Sequence, residues 1–380
     1  MRKLLAVFSG VLTALGRLFP AVISLLCVPI LLVGCKGAGK ADICSAGPGC
    51  EYASYFGVLA SASDSLQVSG VISISPSDGA VDTLLLDSPL KRIICMSTSN
   101  VAALSAIGAD SVIVGVSGLK YITDQKIVSR AESGDIHDVG YEATLDYETI
   151  LRLAPDLIIA YTVGEAEPPF LTKLRTLGLK VMVVYDHLEQ HPLARAEYVK
   201  LFGALTGRLD VAQEFFSGVR ERYEALSVSD SAAEPVKVLM NLPYADSWYI
   251  PGIDSYMSRL VRDAGGEVLG AAEGSASGVV TLEEAYRLSL QADMWLCPGY
   301  CTSRAQLESS HHLFPHFGPL LNGLPIYNNI SRINPAGGND FWESGSVRPD
   351  MILEDLKTIF SSCRSSNACE FNYFIELSDR

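Results

Sequence analysis

Residues 147–161 read Tyr-Glu-Thr-Ile-Leu-Arg-Leu-Ala-Pro-Asp-Leu-Ile-Ile-Ala-Tyr, and this stretch decides the fold class. Its first half predicts a short helix that Pro155 stops, because proline lacks an amide hydrogen and cannot continue a helix. Its second half, from Asp156 to Tyr161, is a continuous apolar run typical of a strand that is buried on both faces. A helix that leads directly into such a strand indicates a parallel α/β sheet.

The same alternation continues on both sides of this stretch and defines a first lobe at residues 91–190. The apolar runs and the helical spacing predict strands at 92–96, 112–116 and 180–185, and helices at 99–107 and 170–177. Gly108 and Gly178 end the two helices, since glycine tolerates the left-handed conformation that follows a helix.

A long helical connector and a second lobe follow the first. Residues 191–226 repeat apolar side chains at helical spacing and predict one or two helices. Beyond them we predict a second lobe at 227–362 and a tail at 363–380, with strands at 236–240 and 293–297 and helices at 255–264, 283–290 and 349–360. Two α/β lobes with mostly parallel sheets, joined by a long helix, leave a cleft between them in which small molecules commonly bind.

Residues 51–90 have a different pattern, with short β-like runs separated by Ser, Asp, Pro and Gly. The runs lie at 55–59, 67–74 and 82–86. We interpret this region as an N-terminal β extension, a hairpin that packs on the first lobe.

The first 34 residues predict a secretory signal. Basic residues open the chain, no acidic residue precedes Cys35, and residues 18–33 are almost purely apolar. This run is shorter than a bilayer span, and Pro20 and Pro29 would break a membrane helix. The sequence Leu-Val-Gly-Cys at 32–35 resembles a bacterial lipobox, so we predict that Cys35 is lipidated and that residues 35–50 form a tether. The alternative is an ordinary membrane anchor with an incidental cysteine.

The chain is strongly acidic, which excludes nucleic acid as an expected partner. Its formal charge is −14, and loss of residues 1–34 would leave 26 basic and 43 acidic side chains, a charge of −17. Such a surface repels phosphate backbones. Together with the predicted signal and the lipidation of Cys35, this indicates a protein on the periplasmic side of a bacterial membrane, held there by its lipid.

Seven cysteines remain after Cys27 in the signal and the lipidated Cys35 are set aside. Six of them fall into close pairs, which in an oxidising compartment predict the disulfides Cys44–Cys50, Cys297–Cys301 and Cys363–Cys369. A metal or redox site is the alternative, although none of the pairs has the Cys-x-x-Cys spacing. Cys95 lies in an apolar run and is expected to be a packed free thiol.

Several phrases, in order, resemble the iron-siderophore, haem and vitamin B12 periplasmic-binding family. They begin at 92–100 (Arg-Ile-Ile-Cys-Met-Ser-Thr-Ser-Asn) and include the 148–160 phrase quoted above, Leu177-Gly-Leu-Lys-Val and Gly265-Gly-Glu. The resemblance covers roughly residues 91–360 and implies the class III periplasmic-binding fold. The β extension and the phrase Gly-Gly-Asn-Asp-Phe-Trp-Glu-Ser-Gly at 337–345 lie outside the general pattern.

The resemblance implies a carrier, not an enzyme, that delivers a metal chelate to the permease and ATPase of an ABC importer. Glutamates on both lobes contact the permease in that family, and Glu148 and Glu283 match those positions. Thr281 and Glu284 can form a capping box, which leaves Glu283 free. No cofactor is expected beyond the chelate itself.

Aromatic and arginine side chains near strand ends are the candidate ligand contacts. Aromatic rings offer flat contacts with polar tips, and arginine pairs with anionic groups of a siderophore or a haem. The candidates are Tyr121, Tyr141, Tyr161, Trp248, Tyr249, Arg304, Arg332 and Trp342. Tyr161 stands where some vitamin B12 binders carry tryptophan.

Two other functions stay open from the sequence. A lipoprotein that binds free zinc or manganese would use His311, His312 and His316, although Pro315 opposes a helix that presents them on one face. His137, His187 and His191 are scattered and form no recognisable ligand group, so no metal site is assigned. A chelatase-like enzyme is the third possibility, but no nucleophile elbow, phosphate loop or zincin motif is present.

Overall fold

A computed structural model describes residue 47 and residues 49–60, 68–163, 167–227, 234–245, 247–362 and 370–379 of the chain. The predicted signal, Cys35 and nearly all of the tether lie outside these residues, as do Cys44, Cys363 and Cys369. In the part that is described, no helix combines the length and the apolar character needed to cross a bilayer.

The N-terminal extension is a three-stranded antiparallel sheet. Its strands are β1 (Phe56–Ala60), β2 (Val68–Ile74) and β3 (Val81–Leu85), in that order. The strands lie where the sequence places its β-like runs, but they make a meander of three rather than a hairpin. The Phe56 ring packs on Tyr198 of the connector, with centroids 4.5 Å apart, and the hydroxyl of Ser73 donates to the carbonyl of Val183 in the first lobe.

The first lobe is a five-stranded parallel sheet in the order β6-β5-β4-β7-β8. The strands are β4 (Ile93–Cys95), β5 (Ile113–Val116), β6 (His137–Asp138), β7 (Leu157–Ala160) and β8 (Val181–Val183), and the helices are α1 (Thr98–Ala106), α2 (Gln125–Glu132), α3 (Tyr147–Leu153) and α4 (Pro169–Thr176). Strand β7 is buried along its whole length, as its continuous apolar sequence predicts.

The connector consists of three helices, whereas the sequence predicts one or two. They are α5 (Pro192–Ala196), α6 (Tyr198–Thr206) and α7 (Leu209–Ser227). The break between α6 and α7 lies at Gly207, whose φ of 70° is left-handed and so favours glycine. The apolar faces of α6 and α7 are at helical spacing, which is why the sequence alone indicates a nearly continuous helix.

The N-terminal extension begins on this connector, held by a buried carboxylate. Glu197, between α5 and α6, is fully buried and accepts hydrogen bonds from the backbone amides of Glu51, Tyr52 and Ala53, each at 2.8 Å. Lys200 supplies the compensating charge at 2.7 Å. A buried carboxylate is tolerated only when it is paired and hydrogen-bonded in this way. The start of the extension is therefore fixed to the connector.

The second lobe contains a five-stranded sheet in the order β12-β9-β14-β15-β16, parallel except for β16, and a small antiparallel sheet β10-β11-β13. The strands are β9 (Val236–Met240), β10 (Pro243–Tyr244), β11 (Ser247–Ile250), β12 (Gly266–Val268), β13 (Gly278–Val280), β14 (Met294–Leu296), β15 (Ile326–Asn328) and β16 (Ile375–Glu376). The helices are α8 (Tyr256–Asp263), α9 (Leu282–Ser289), α10 (Arg304–Ser310), α11 (Gly318–Leu321) and α12 (Pro349–Ser362). Because β16 lies in the predicted tail, the second lobe extends past residue 362.

The described architecture confirms the predicted fold class: two α/β lobes with mostly parallel sheets, a helical connector and an N-terminal β extension. Parallel strands end at a common edge of each sheet, so the loops that follow them lie together. Ligand sites of open α/β sheets form at such carboxyl edges.

Candidate functional site

Three of the predicted tyrosines lie at the carboxyl edge of the first sheet. Tyr121 follows β5, Tyr141 follows β6 and Tyr161 follows β7. The rings of Tyr121 and Tyr141 are 6.1 Å apart and nearly perpendicular. Burial raises the pKa of the Tyr141 phenol, and the neighbouring Tyr161 and Tyr121 raise it further, so all three groups are close. We call these three residues the tyrosine edge.

A glycine turn lets two of these rings approach each other. Gly118 adopts a left-handed φ of 71°, and a Cβ placed there would lie 2.5 Å from the Tyr141 ring. A larger residue would therefore strain the backbone and displace Tyr141. The sequence identified the tyrosines but not this requirement.

His187 extends the tyrosine edge, and sequence reasoning did not include it among the ligand contacts. Its ring lies edge-on to Tyr161, with centroids 6.0 Å apart. Its Nδ1 atom is buried and has no hydrogen-bond partner among the described residues. Burial lowers the pKa of the imidazole, although Asp186 and a hydrogen bond with the Thr162 backbone act in the opposite direction. The edge thus holds a buried imidazole, with a lowered pKa, beside three phenols.

A buried ion pair adjacent to His187 in the chain joins the first lobe to the connector, and its arginine also contacts the second lobe. Arg195 of α5 pairs with Asp186, at 3.4 Å between Nε and Oδ2, and its guanidinium lies 5.0 Å above the ring of Tyr256 in α8. Burial disfavours the charge on Arg195, but Tyr256 and Asp186 outweigh burial and raise its pKa. The groups satisfy one another, so this pair joins the lobes structurally.

A cavity of about 780 Å³ reaches the tyrosine edge at Thr162, the residue that follows Tyr161, although none of the three tyrosines lines it. Thr162, Tyr185 and Leu188 line it from the first lobe, and Ala276 lines it from the second. The β2–β3 turn of the extension supplies another wall. A volume of this order suits a ligand of several hundred daltons.

Trp248 does not belong to this site, which corrects the sequence prediction. It is fully buried, donates its indole N–H to the carbonyl of Met240 at 2.8 Å, and stacks on Phe317 with centroids 5.7 Å apart. Successive side chains of a strand point to opposite faces. Trp248 therefore faces the second-lobe core, whereas Tyr249 is 41% exposed on the outer face of the small sheet.

Arg304 is also occupied elsewhere. Its guanidinium donates to the carbonyls of Leu324 and Leu377 and lies near Asp379. The side chain is mostly buried, so it fastens the β16 tail to the second lobe. The prediction of a ligand contact at Arg304 is wrong in this structure. Its guanidinium binds the tail, which the sequence analysis predicted to lie outside the second lobe.

Arg332 and Trp342 lie on a long segment that follows β15. Arg332 pairs with Asp340 at 3.1 Å and lies 5.2 Å over the ring of Tyr373. Trp342 is 43% exposed and packs edge-on against Phe341. The same segment contacts the first lobe on either side of Tyr121, so these residues lie on a second-lobe element that borders the tyrosine edge.

Glu148 and Glu283 occupy equivalent places on the two lobes. Each lies in the first turn of a helix, α3 or α9, that leads into a parallel strand, β7 or β14. Such a helix runs antiparallel to its strand, so its first turn lies at the carboxyl edge of the sheet. Both carboxylates therefore lie at the same edges as the loops of the candidate site.

The cap of α9 differs in detail from the predicted capping box. The hydroxyl of Thr281 accepts the Glu284 amide at 3.2 Å, as expected, but the Glu284 carboxylate pairs with Arg287 at 2.6 Å. Glu283 hydrogen-bonds its own backbone amide and Thr281, and these bonds lower its pKa. Its carboxylate is fully exposed and charged.

Two of the three histidines at 311, 312 and 316 lie side by side. The rings of His311 and His312 are 4.4 Å apart, but among the described residues no group of three or more His, Cys, Asp or Glu side chains could hold a metal ion.

Cys297 and Cys301 are separate thiols, so the predicted disulfide between them is not formed in the structure. Cys301 is buried and hydrogen-bonds Ser310, whereas Cys297 follows β14 and lies close to Tyr256. Cys95 is a buried free thiol whose pKa is raised by burial, which confirms the expectation. The pairings of Cys44 with Cys50 and of Cys363 with Cys369 involve residues outside the described chain and stay predictions.

The sequence profile described as periplasmic binding protein matches residues 93–311, more than half of the chain. An uncharacterised lipoprotein of Methanocaldococcus jannaschii is 25% identical over 285 residues, which are 72% of this chain and 66% of that protein. A vitamin B12-binding protein of Vibrio cholerae is 26% identical over 154 residues, 40% of this chain and 52% of that protein. The matched regions are thus just under two thirds and about half of those two relatives.

A solved structure extends the likeness at the level of the fold. The crystal structure of a periplasmic haem-binding protein from Pseudomonas aeruginosa superposes with a TM-score of 0.57 at 18% identity, over 77% of this chain and 99% of that one. This likeness confirms the class III arrangement of the two lobes. The neighbours with a stated role are binding proteins and not enzymes, in agreement with the sequence-based expectation.

Proposed function

The chain belongs to the periplasmic binding protein family, and we propose that it is the substrate-binding lipoprotein of an ABC importer. In this proposal it captures a metal chelate beside the tyrosine edge and delivers it to a permease. The observation that carries the proposal is the convergence of Tyr121, Tyr141 and Tyr161 at one sheet edge, next to His187. A cavity of about 780 Å³ reaches this edge at Thr162, the residue after Tyr161.

The chemistry of this edge favours a flat, partly apolar ligand with polar groups at its rim. Phenol rings give broad contact area with little loss of conformational freedom, and their hydroxyls hydrogen-bond in a wet cleft. Ferric siderophores, haem and corrinoids all have this character, and we rank them in that order.

Lipidation of Cys35 is part of the same proposal. The lipobox-like sequence and the lipoprotein named among the relatives support it. The extension begins at Glu51, which is fixed to the connector, so residues 35–50 would be the length of chain between the lipid and the folded body. Cys35→Ala should release a soluble protein that still binds ligand; retention in the membrane fraction would show that the apolar segment is itself the anchor.

Delivery is assigned to Glu148 and Glu283. Their equivalent positions at the carboxyl edges of the two sheets support a docking role, since two exposed carboxylates on one rim can pair with basic groups of a permease. The permease and its ATPase are the proposed partners.

The test is an absorbance titration of the purified chain with haemin, cyanocobalamin and ferrioxamine, each in turn. We expect one of them to give a saturable one-to-one spectral change. Zinc and manganese chloride, followed by native mass and thermal shift, are the matched controls. If the chain binds none of the three chelates but is stabilised by zinc or manganese, the proposed ligand class is wrong.

A further inference from the structure

The segment that follows β15 reaches across to the first lobe and binds the loop that carries Tyr121. The side-chain amide of Asn334 donates to the carbonyls of Lys120 and Ile122, both at 3.0 Å. Its own amide oxygen accepts the backbone amides of Ala336 and Gly338, which fixes the Asn334 side chain in this orientation. The side chain of Asn334 therefore binds the backbone carbonyls of the two residues that flank Tyr121.

A buried glutamate completes the contact one residue further along the same loop. The carboxylate of Glu343 accepts the amide of Thr123 at 2.7 Å, the hydroxyl of Thr123 at 2.8 Å and the amide of Asp124 at 3.0 Å. The side chain of Asp340 accepts the same hydroxyl at 3.1 Å. Glu343 is only 1% exposed, so these bonds are shielded from water and are stronger than surface contacts.

Two consecutive glycines make this approach possible. Gly337 adopts a left-handed φ of 89°, and a Cβ at Gly338 would lie 2.1 Å from the carbonyl oxygen of Tyr121. Real Cβ atoms do not come so close to a backbone oxygen, so only glycine allows the two segments to touch. This gives a physical role to the Gly-Gly-Asn-Asp-Phe-Trp-Glu phrase that lies outside the general family pattern.

We propose that residues 334–343, which we name the interlobe clamp, fix the separation of the two lobes and position Tyr121 for the ligand. Asn334 and Glu343 are then positioning residues: they touch the loop 119–124 and act on the ligand through Tyr121. The lobes cannot move apart at this point without breaking the hydrogen bonds just described, so ligand enters a cleft of preset width. The ligand part of this inference rests on the proposed function, whereas the lobe separation does not.

The first experiment measures the clamp without any ligand. Hydrogen exchange of the full chain is followed at the amides of Thr123 and Asp124 in the wild type, in Glu343→Gln and in Asn334→Ala. Glu343→Gln keeps the shape but places an amide N–H₂ against donors, so exchange at these amides should become at least about tenfold faster, as expected for loss of a protecting bond. Glu308→Gln and Asn322→Ala, at exposed second-lobe positions, are the matched controls and should leave exchange unchanged.

The second experiment measures the separation of the lobes. Nitroxide labels are introduced as non-canonical amino acids at the exposed positions 132 and 291, which spares the native cysteines. The wild type should give one narrow distance distribution, and each clamp variant should broaden it. A narrow distribution in both variants, together with unchanged exchange, would overturn the proposal even if the chain binds a chelate.

The third experiment separates positioning from loss of stability. The affinity for whichever of haemin, cyanocobalamin and ferrioxamine binds is measured for Asn334→Ala, Tyr121→Ala and the double variant. If Asn334 acts through Tyr121, its several-fold effect disappears in the Tyr121→Ala background, whereas additive effects would contradict that route. If none of the three probes binds, the proposed function fails, and the exchange and distance results still decide whether the clamp exists.

Discussion

Aromatic residues in or after short strands have opposite environments in the two lobes. Aromatic residues follow or occupy short strands in both, but Tyr121, Tyr141 and Tyr161 of the first lobe lie at an accessible edge, whereas Trp248 and Trp295 of the second lobe are fully buried. The small sheet β10-β11-β13 explains the difference, since one of its faces packs on the second-lobe core. An aromatic near a strand end indicates a binding residue only where nothing else covers that edge.

The largest effect that distinguishes the two regions is expected for Trp248→Ala. Loss of a fully buried indole that stacks on Phe317 should lower the free energy of unfolding by about 3–5 kcal/mol. The neighbouring variant Tyr249→Ala removes a partly exposed ring and should cost less than about 1 kcal/mol. Denaturant unfolding measures both, and equal losses would show that the assignment of Trp248 to the core is wrong.

A pH effect of intermediate size is expected at two buried glutamates. Burial raises the pKa of Glu343 to about 7, and of Glu189, which accepts the amides of Ser54 and Tyr55, also to about 7. Both values lie above the ordinary value of 4.5, so the folded state binds these protons more tightly than the unfolded state. The stabilisation by each group is therefore complete below about pH 4.5 and is lost as the pH rises through 7.

Comparison with a variant separates the pH-dependent stabilisation by Glu343 from the effects of other titrating groups. The pKa values of His187 and His191 are lowered by burial and oppose the trend, but both residues are present in every protein compared. Relative to Glu343→Gln, the wild type should lose up to about 1.4 kcal/mol of stability per pH unit between pH 5 and 7. Urea unfolding at several pH values measures this difference, and a gap that does not change with pH would contradict it.

A smaller effect should show that Arg304 is structural. Arg304→Ala removes charge-assisted hydrogen bonds to two backbone carbonyls and should lower the free energy of unfolding by about 1–3 kcal/mol. Affinity for the chelate should stay at the wild-type value. Arg287→Ala, which removes an exposed guanidinium, is the control. A specific loss of affinity in Arg304→Ala would restore the sequence-based assignment of this residue to the ligand site.

The smallest effect on the purified protein is expected for Glu148→Ala with Glu283→Ala. Both residues lie in exposed first turns, so unfolding and chelate affinity should be unchanged. Uptake of the chelate by cells that carry only this variant should stop, because the docking charges are gone. Unchanged uptake would show that the two glutamates are ordinary helix-end residues.

The fold was largely predictable because its signals are local. The continuous apolar run of β7 and the proline that ends the preceding helix, Pro155, lie within one short stretch. Each other predicted strand of the first lobe, and each glycine that ends a helix there, is likewise recognised from its immediate neighbours in the sequence. The β16 strand escaped prediction because two residues, Ile375 and Glu376, pair with a strand almost fifty positions earlier. Alternation along β11 likewise could not say which of Trp248 and Tyr249 faces inward.

The candidate site was predictable in part for the same reason. The tyrosines at the strand ends could be found, since their positions follow from the strands. His187 could not, because only folding places it against Tyr161 and leaves its Nδ1 without a partner. The interlobe clamp is the hardest part to predict, because Glu343 and Thr123 are 220 residues apart in the sequence. Only the glycine pair at 337–338 indicates a close contact of the backbone.

Native mass spectrometry of the wild type and of the triple variant Tyr121→Ala, Tyr141→Ala, Tyr161→Ala tests the central claim most directly. Each protein is mixed with haemin, cyanocobalamin and ferrioxamine in equal amounts, and Tyr244→Ala, an exposed tyrosine of the second lobe, is the control. The account predicts a one-to-one complex with one chelate for the wild type and for Tyr244→Ala, and its loss in the triple variant. A triple variant that folds and binds the same chelate with the same occupancy would contradict the assignment of the ligand to the tyrosine edge.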